Sequence, residues 1–278
     1  MRLSVVHETH YKYSSPVALS HQLLHLTPRE LPWQQAAKHR LTVQPAPAER
    51  EERDDYFGNR TVRVLLATPH SELLVRTESE VEVQPRAQAA ASLPGDPQEF
   101  VYESPHVEAW RELIDYAAKS AAPGRPPLEV ATDLMRRIYR DFKFDRTATS
   151  VSTPLRQVMK QRSGVCQDFA HLMTGALRSL AIPARYVSGY ILTAPPPGRP
   201  RLVGADASHA WVSIFCGEWI DLDPTNNRLV DDDYVTLGWG RDFGDVTPMR
   251  GVILGGGEQQ LAVRVTVTPK AEATLESR

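Results

Sequence analysis

Arg162-Ser163-Gly164-Val165-Cys166-Gln167-Asp168-Phe169-Ala170-His171-Leu172-Met173 reads as the opening of a buried helix. Phe169, Leu172, Met173, Ala176, Leu177 and Leu180 recur at helical spacing and form one apolar stripe. Cys166 lies three residues before Phe169, on that stripe. Ser163 and Gly164 just upstream are helix-start residues, so the thiol is expected in the first turn. There the unpaired N–H groups and the helix dipole stabilise an anion such as a thiolate. The same amides can receive the oxyanion of a tetrahedral intermediate, where losing one donor typically costs about 3–4 kcal/mol. A cysteine on an apolar stripe is also what a plain core residue looks like. Position alone therefore decides nothing, and a base has to be found.

Ser208-His209-Ala210-Trp211-Val212-Ser213-Ile214 places a histidine at the start of a strand. Trp219-Ile220-Asp221-Leu222-Asp223-Pro224-Thr225 follows, and Pro224 ends that strand with Asp223 at its edge. Whether the two meet depends on the hairpin. A two-residue Gly217-Glu218 turn pairs Cys216 with Trp219 and sends Asp223 to the face away from His209. A three-residue loop, Cys216-Gly217-Glu218, pairs Phe215 with Trp219 and sets Asp223 opposite Trp211, diagonal to His209 on one face. The odd-length loop or an equivalent bulge is expected, with Cys216 a turn residue without a chemical role.

Outward from this core, Ala184–Ile191 reads as a further strand, while Trp110, Leu113 and Tyr116, then Leu128 to Phe142, read as two helices. Residues 1–85 alternate apolar and polar positions between prolines, the pattern of half-buried antiparallel strands, and Gly58-Asn59 suits a tight turn. Residues 86–106 lack any period and read as a linker or crossover. The expected organisation is an N-terminal antiparallel, β-sandwich-like domain (1–85), that linker (86–106), an α+β domain of helices on an antiparallel sheet (107–269) and a tail (270–278). Ala194–Pro200 reads as a surface loop. Gly238-Trp239-Gly240 and Gly255-Gly256-Gly257 read as turns, matching no phosphate-loop pattern.

The 278 residues carry 32 Lys plus Arg against 34 Asp plus Glu, a formal charge of -2 that gives no field to gather nucleic acid or anionic lipid. No apolar run is long enough to span a bilayer, and the opening residues lack a signal-peptide pattern, so the cytoplasm is the expected compartment. Two cysteines, Cys166 and Cys216, are too few for a disulfide framework. No local Cys or His pair chelates zinc, and Asp231-Asp232-Asp233 lacks the alternation of a calcium loop. No metal and no cofactor is expected. His171, five residues past Cys166, is rotated off the thiol's side and reads as structural. Asp168 reads as support for the helix end. Trp211 and Trp219 read either as packing around the reactive groups or as plain core.

These residues together resemble the transglutaminase-like superfamily of papain-like thiol enzymes, and in particular bacterial transglutaminase-like proteins with an added N-terminal β domain. The resemblance rests on Phe142-Lys143-Phe144-Asp145 with Ser152-Thr153-Pro154-Leu155, Gly164 to His171, Ile182 to Tyr190, Ala207 to Val212 and Trp219 to Asn226. It implies a nucleophile at Cys166, a base at His209 and an orienting carboxylate at Asp223, in that chain order. It further implies a papain-like catalytic core and acyl transfer or hydrolysis on a protein or peptide amide, a glutamine among them, through a thioester. The competing reading keeps the fold as a peptide-binding or scaffold module with a retained but silent set of residues.

Overall fold

The computed structural model describes residues 1–86, 96–193 and 208–270. The Ala194–Pro200 loop, residues 87–95 of the linker and the tail from 271 lie outside the described residues. β1 (Arg2–Leu24) organises the N-terminal half. Its buried Leu3, Val5, His7 and Thr9 alternate with more exposed neighbours, as a strand with one covered face must. The alternation breaks at Ser14-Ser15-Pro16, and there the strand changes partners. Its first part pairs with β5 (His70–Val83) and β14 (Gln259–Pro269), and its second part with β4 (Arg60–Leu66) and β13 (Met249–Gly255). β2 (Gln34–Gln44) extends the sheet beyond β5, and β3 (Glu49–Asp54) beyond β4.

The result corrects the expected sandwich. One antiparallel sheet curls around a core of Tyr13, Val17, Leu24, Leu41, Val43, Val64 and Leu73, because a single long strand bends and serves both parts. Pairing also draws β13 and β14 into this sheet, whereas the sequence reading counts residues 249–269 with the second region.

The helices are α1 (Arg111–Ala118), α2 (Pro127–Asp141), α3 (Leu155–Gln161) and α4 (Cys166–Ser179). They pack on a five-stranded antiparallel sheet of order β11-β10-β9-β8-β12, formed by β8 (Ala184–Ile191), β9 (Ser208–Phe215), β10 (Trp219–Asp223), β11 (Arg228–Leu229) and β12 (Tyr234–Gly240). The two-residue period divides this sheet's side chains between two cores. Ala184, Tyr186, Ala210, Val212, Ile214 and Leu222 join Phe169, Met173 and Leu177 of α4. Val187, Trp211, Val235 and Trp239 join Leu3, Val5, Val81 and Val265 of the first sheet. Each such buried aliphatic side chain contributes roughly 1.5–3 kcal/mol by its removal from water, so the second core binds the two halves into one body.

Polar contacts fix their register. The Asn59 amide donates to Trp239 O (2.8 Å) and accepts from Trp239 N–H (2.9 Å), imitating a neighbouring strand. Gly238-Trp239-Gly240 is therefore strand rather than turn, and Gly238 is required because a Cβ there would meet Asn59 Oδ1 at 2.7 Å. Around it, the Arg29 and Arg185 guanidiniums lie 3.5 and 3.7 Å from the Trp239 ring centroid, and Arg185 also lies 4.0 Å from that of Trp219.

Candidate active site

Three short segments meet where α4 begins. β6 (Lys143–Phe144) runs parallel to β7 (Ser163–Gly164), and Asp145 N–H donates to Gly164 O at 2.9 Å, fixing the approach to the helix. Asp168, in the first turn, accepts from Val165 N–H (2.8 Å) and Thr149 Oγ1 (2.6 Å). Gly164 leaves room for that carboxylate, since a Cβ would stand 2.6 Å from Asp168 Oδ2. Burial raises the Asp168 carboxyl above its ordinary range, against the pull of these two donors. Its place is structural, as the sequence indicates. Cys166 is thereby held as the first helical residue, partly exposed, with helix α4 behind it.

The β9–β10 hairpin has the odd loop. Phe215 faces Trp219 and Leu222 faces Val212, so the continuing register sets Asp223 opposite Trp211. Gly217, at φ +99°, takes the left-handed conformation that this tight connection needs. Asp223 and His209 accordingly share a face, and His209 Nε2 lies 2.7 Å from Asp223 Oδ2. Asn226 Nδ2 also stands 3.4 Å from Nε2, and the Cys166 side chain acts on the same ring. Burial alone would favour the neutral imidazole, but the bonds to Asp223 and Cys166 and the charge of both outweigh it, raising His209 to about 10. Cys166, His209 and Asp223 are thus brought together, whereas Cys216 sits apart in the hairpin loop, its thiol pushed up by burial.

Asp223 is fully buried, and five donors surround it. Oδ1 accepts from the Thr225 and Asn226 N–H groups at 2.8 and 3.2 Å. Oδ2 accepts from His209, from Asn226 Nδ2 (2.6 Å) and from Tyr234 Oη (2.7 Å). Burial would raise this carboxyl, yet the bonds from His209, Tyr234 and Asn226 hold it below the ordinary carboxylate range. Sequence reasoning missed Tyr234, whose approach depends on β12 crossing to the far side of β8. Asn226 stands within the quoted motif, and its position three residues past Asp223 in the turn was the available signal.

His171 is buried elsewhere on α4. Its Nε2 accepts from Phe243 N–H at 3.1 Å, and its ring stacks on His106 with centroids 5.6 Å apart. Burial lowers it to about 3 despite the nearby Asp242, so it stays neutral and structural. Trp211 packs beside His209, ring centroids 6.2 Å apart, and donates Nε1–H to Asp221 (3.0 Å). Trp219 belongs instead to the Arg185 stack and an edge contact with Phe100.

A thiol at a helix N-terminus, set against the end of an antiparallel sheet that carries histidine and aspartate, defines the papain-like class of thiol folds. The comparisons narrow the class. Residues 3–82 match the bacterial transglutaminase-like N-terminal region, and residues 114–224 match the transglutaminase-like superfamily. Over 96% of its length the chain is 40% identical to an uncharacterized protein of Mycobacterium tuberculosis, covering 93% of that protein. It is 32% identical to another of Mycobacterium leprae, covering 98% of it. The chain belongs to the transglutaminase-like superfamily and carries its bacterial N-terminal region. A Cytophaga hutchinsonii crystal structure, described as a candidate cysteine protease, shares the fold: TM-score 0.78 at 23% identity, over 99% of this chain and 92% of that one. No helix among the described residues is long and apolar enough to cross a membrane.

Proposed function

We propose that the protein is a cysteine-dependent acyl-transfer enzyme acting on peptide or amide substrates, with Cys166 as nucleophile, His209 as proton carrier and Asp223 as the carboxylate that orients it. The observation that carries this reading is the imidazole between two groups: Nε2 held 2.7 Å from a buried carboxylate, with Cys166 at the first turn of α4 acting on the same ring.

In the first half-reaction the Cys166 thiolate attacks the amide carbon, and the C=O electron pair moves onto oxygen beside the first-turn N–H groups of α4. As the C–N bond breaks, the His209 imidazolium gives its Nδ1 proton to the leaving amine and a thioester remains. In the second, His209 takes a proton from water or a primary amine, that nucleophile adds to the thioester, and the thiolate leaves. Water yields the free acid and an amine yields a new amide. The Asp223 charge favours the imidazolium at both stages without itself taking a proton.

Cys216 supplies an internal control for the test. Iodoacetamide at pH 6–7 is expected to label Cys166 far faster than Cys216, as read by peptide mass mapping. A glutamine peptide, with and without a primary amine, then separates hydrolysis from transamidation by ammonia release against amine incorporation. Slow labelling of both cysteines, or full turnover in Cys166→Ala, would reject the enzyme and favour the scaffold reading.

A further inference from the structure

Tyr234 is outside the nucleophile–base–acid set, yet its hydroxyl is 2.7 Å from the same Asp223 oxygen that His209 uses. Its proton has a defined direction. Arg228 Nε–H donates to Tyr234 Oη at 3.2 Å, and a guanidinium has no acceptor, so the phenolic proton points to Asp223. Arg228 is itself held by Asp233. Burial beside the Asp223 charge raises the Tyr234 phenol, which keeps it a donor. The ring is fixed separately from the hydroxyl, edge-on to Trp211 at 5.3 Å and tilted against His209 at 6.0 Å.

Asp223 does not need Tyr234 to stay in place, because two backbone N–H groups grip its other oxygen. What the hydroxyl changes is the charge that Oδ2 presents to the imidazolium. Resting on the acyl-transfer reading above, we propose that Tyr234 is a positioning residue that shares Asp223 Oδ2 with His209, restraining the carboxylate's hold so that the imidazolium can release its proton to a leaving amine. Asn226 Nδ2, 2.6 Å from the same oxygen, adds to the restraint. The other charged or titratable groups facing this cluster are Cys166 from α4 and, through Tyr234, Arg228 with Asp233. Asp221 is engaged by Trp211 and Arg86 on the neighbouring stretch of β10.

The consequence is an unusual signature. Tyr234→Phe keeps the ring packing and removes one of three donors from Oδ2, so His209 should hold its proton more tightly while giving it up less readily. Three measurements on the full chain read this. The alkaline edge of the pH profile for Cys166 alkylation by iodoacetamide should move upward by about half a pH unit. Turnover of a glutamine peptide should fall about three- to ten-fold with KM within two-fold. The acylation burst with p-nitrophenyl acetate, whose leaving group needs no proton, should stay within two-fold. Asn226→Ser should move the same edge in the same direction, a second arm that stands if Tyr234→Phe folds poorly.

An unchanged edge in both variants, or an edge moving down with both substrates slowed, would overturn the inference and assign Tyr234 to packing alone. Those outcomes leave the enzyme reading intact. Unselective alkylation in the unsubstituted protein would instead overturn both.

Discussion

His171 on α4 and His209 on the sheet packed against that helix are both buried, and their chemistry diverges completely. Around His171, burial dominates and lowers the ring to about 3, leaving a neutral acceptor for Phe243 N–H. Around His209, burial pulls the same way, but the Asp223 carboxylate 2.7 Å from Nε2 and the Cys166 side chain outweigh it and raise the ring to about 10. Burial sets the cost of a charge in both places. Only a partner of opposite charge in direct contact reverses the outcome.

The largest test of this contrast is removal of the charged ring. His209→Ala should abolish amide turnover, a loss of about ten-thousand-fold or more, with native circular dichroism retained. Asp223→Asn keeps the shape and takes away the charge that separates the two histidines. It should lower turnover by up to about ten-thousand-fold and leave a measurable residue, because the asparagine keeps the geometry but no longer supports the imidazolium or its tautomer. His171→Phe should behave in the opposite way, leaving turnover within about two-fold while costing roughly 1–3 kcal/mol in urea unfolding, since the Phe243 N–H loses its acceptor.

The smallest effect sharpens the comparison through pH. His209 is raised on folding, so its contribution to stability is complete below pH 6.5 and disappears as pH climbs from there to about 10. His171 is depressed, so the unfolded chain binds its proton first, and stability falls as pH drops from 6.5 to about 3. Unfolding curves across pH should therefore flatten on the alkaline side in His209→Gln and on the acid side in His171→Gln. Changes on the same side in both variants would break the contrast.

Much of the site was legible because it depends on local periodicity. Helix α4 follows from the stripe of Phe169, Leu172, Met173 and Leu177, and the loop arithmetic around Gly217 decides which face Asp223 takes. The Asp223 surroundings were legible only as far as the turn, since the Asn226 contact spans three residues and the Tyr234 contact requires the crossover of β12. Gly238-Trp239-Gly240 was misread for a related reason. Two glycines signal a turn by composition, whereas here Gly238 yields space to Asn59 from the other half of the chain. The curl of the first sheet was hidden as well, because an alternating pattern specifies which side chains are covered and leaves open which strands cover them.

One strand's two flanks have a consequence for how the molecule is assembled. Leu3 faces Val81 on one side and Pro269 on the other, so β1 is clasped by a strand that lies far along the sequence from it. Until that late segment arrives, β1 presents a bare row of peptide groups over its whole length, an invitation to pair with another nascent chain. A fragment ending at residue 85 would keep that row open permanently and is expected to self-associate, whereas β13 and β14 seal it from within.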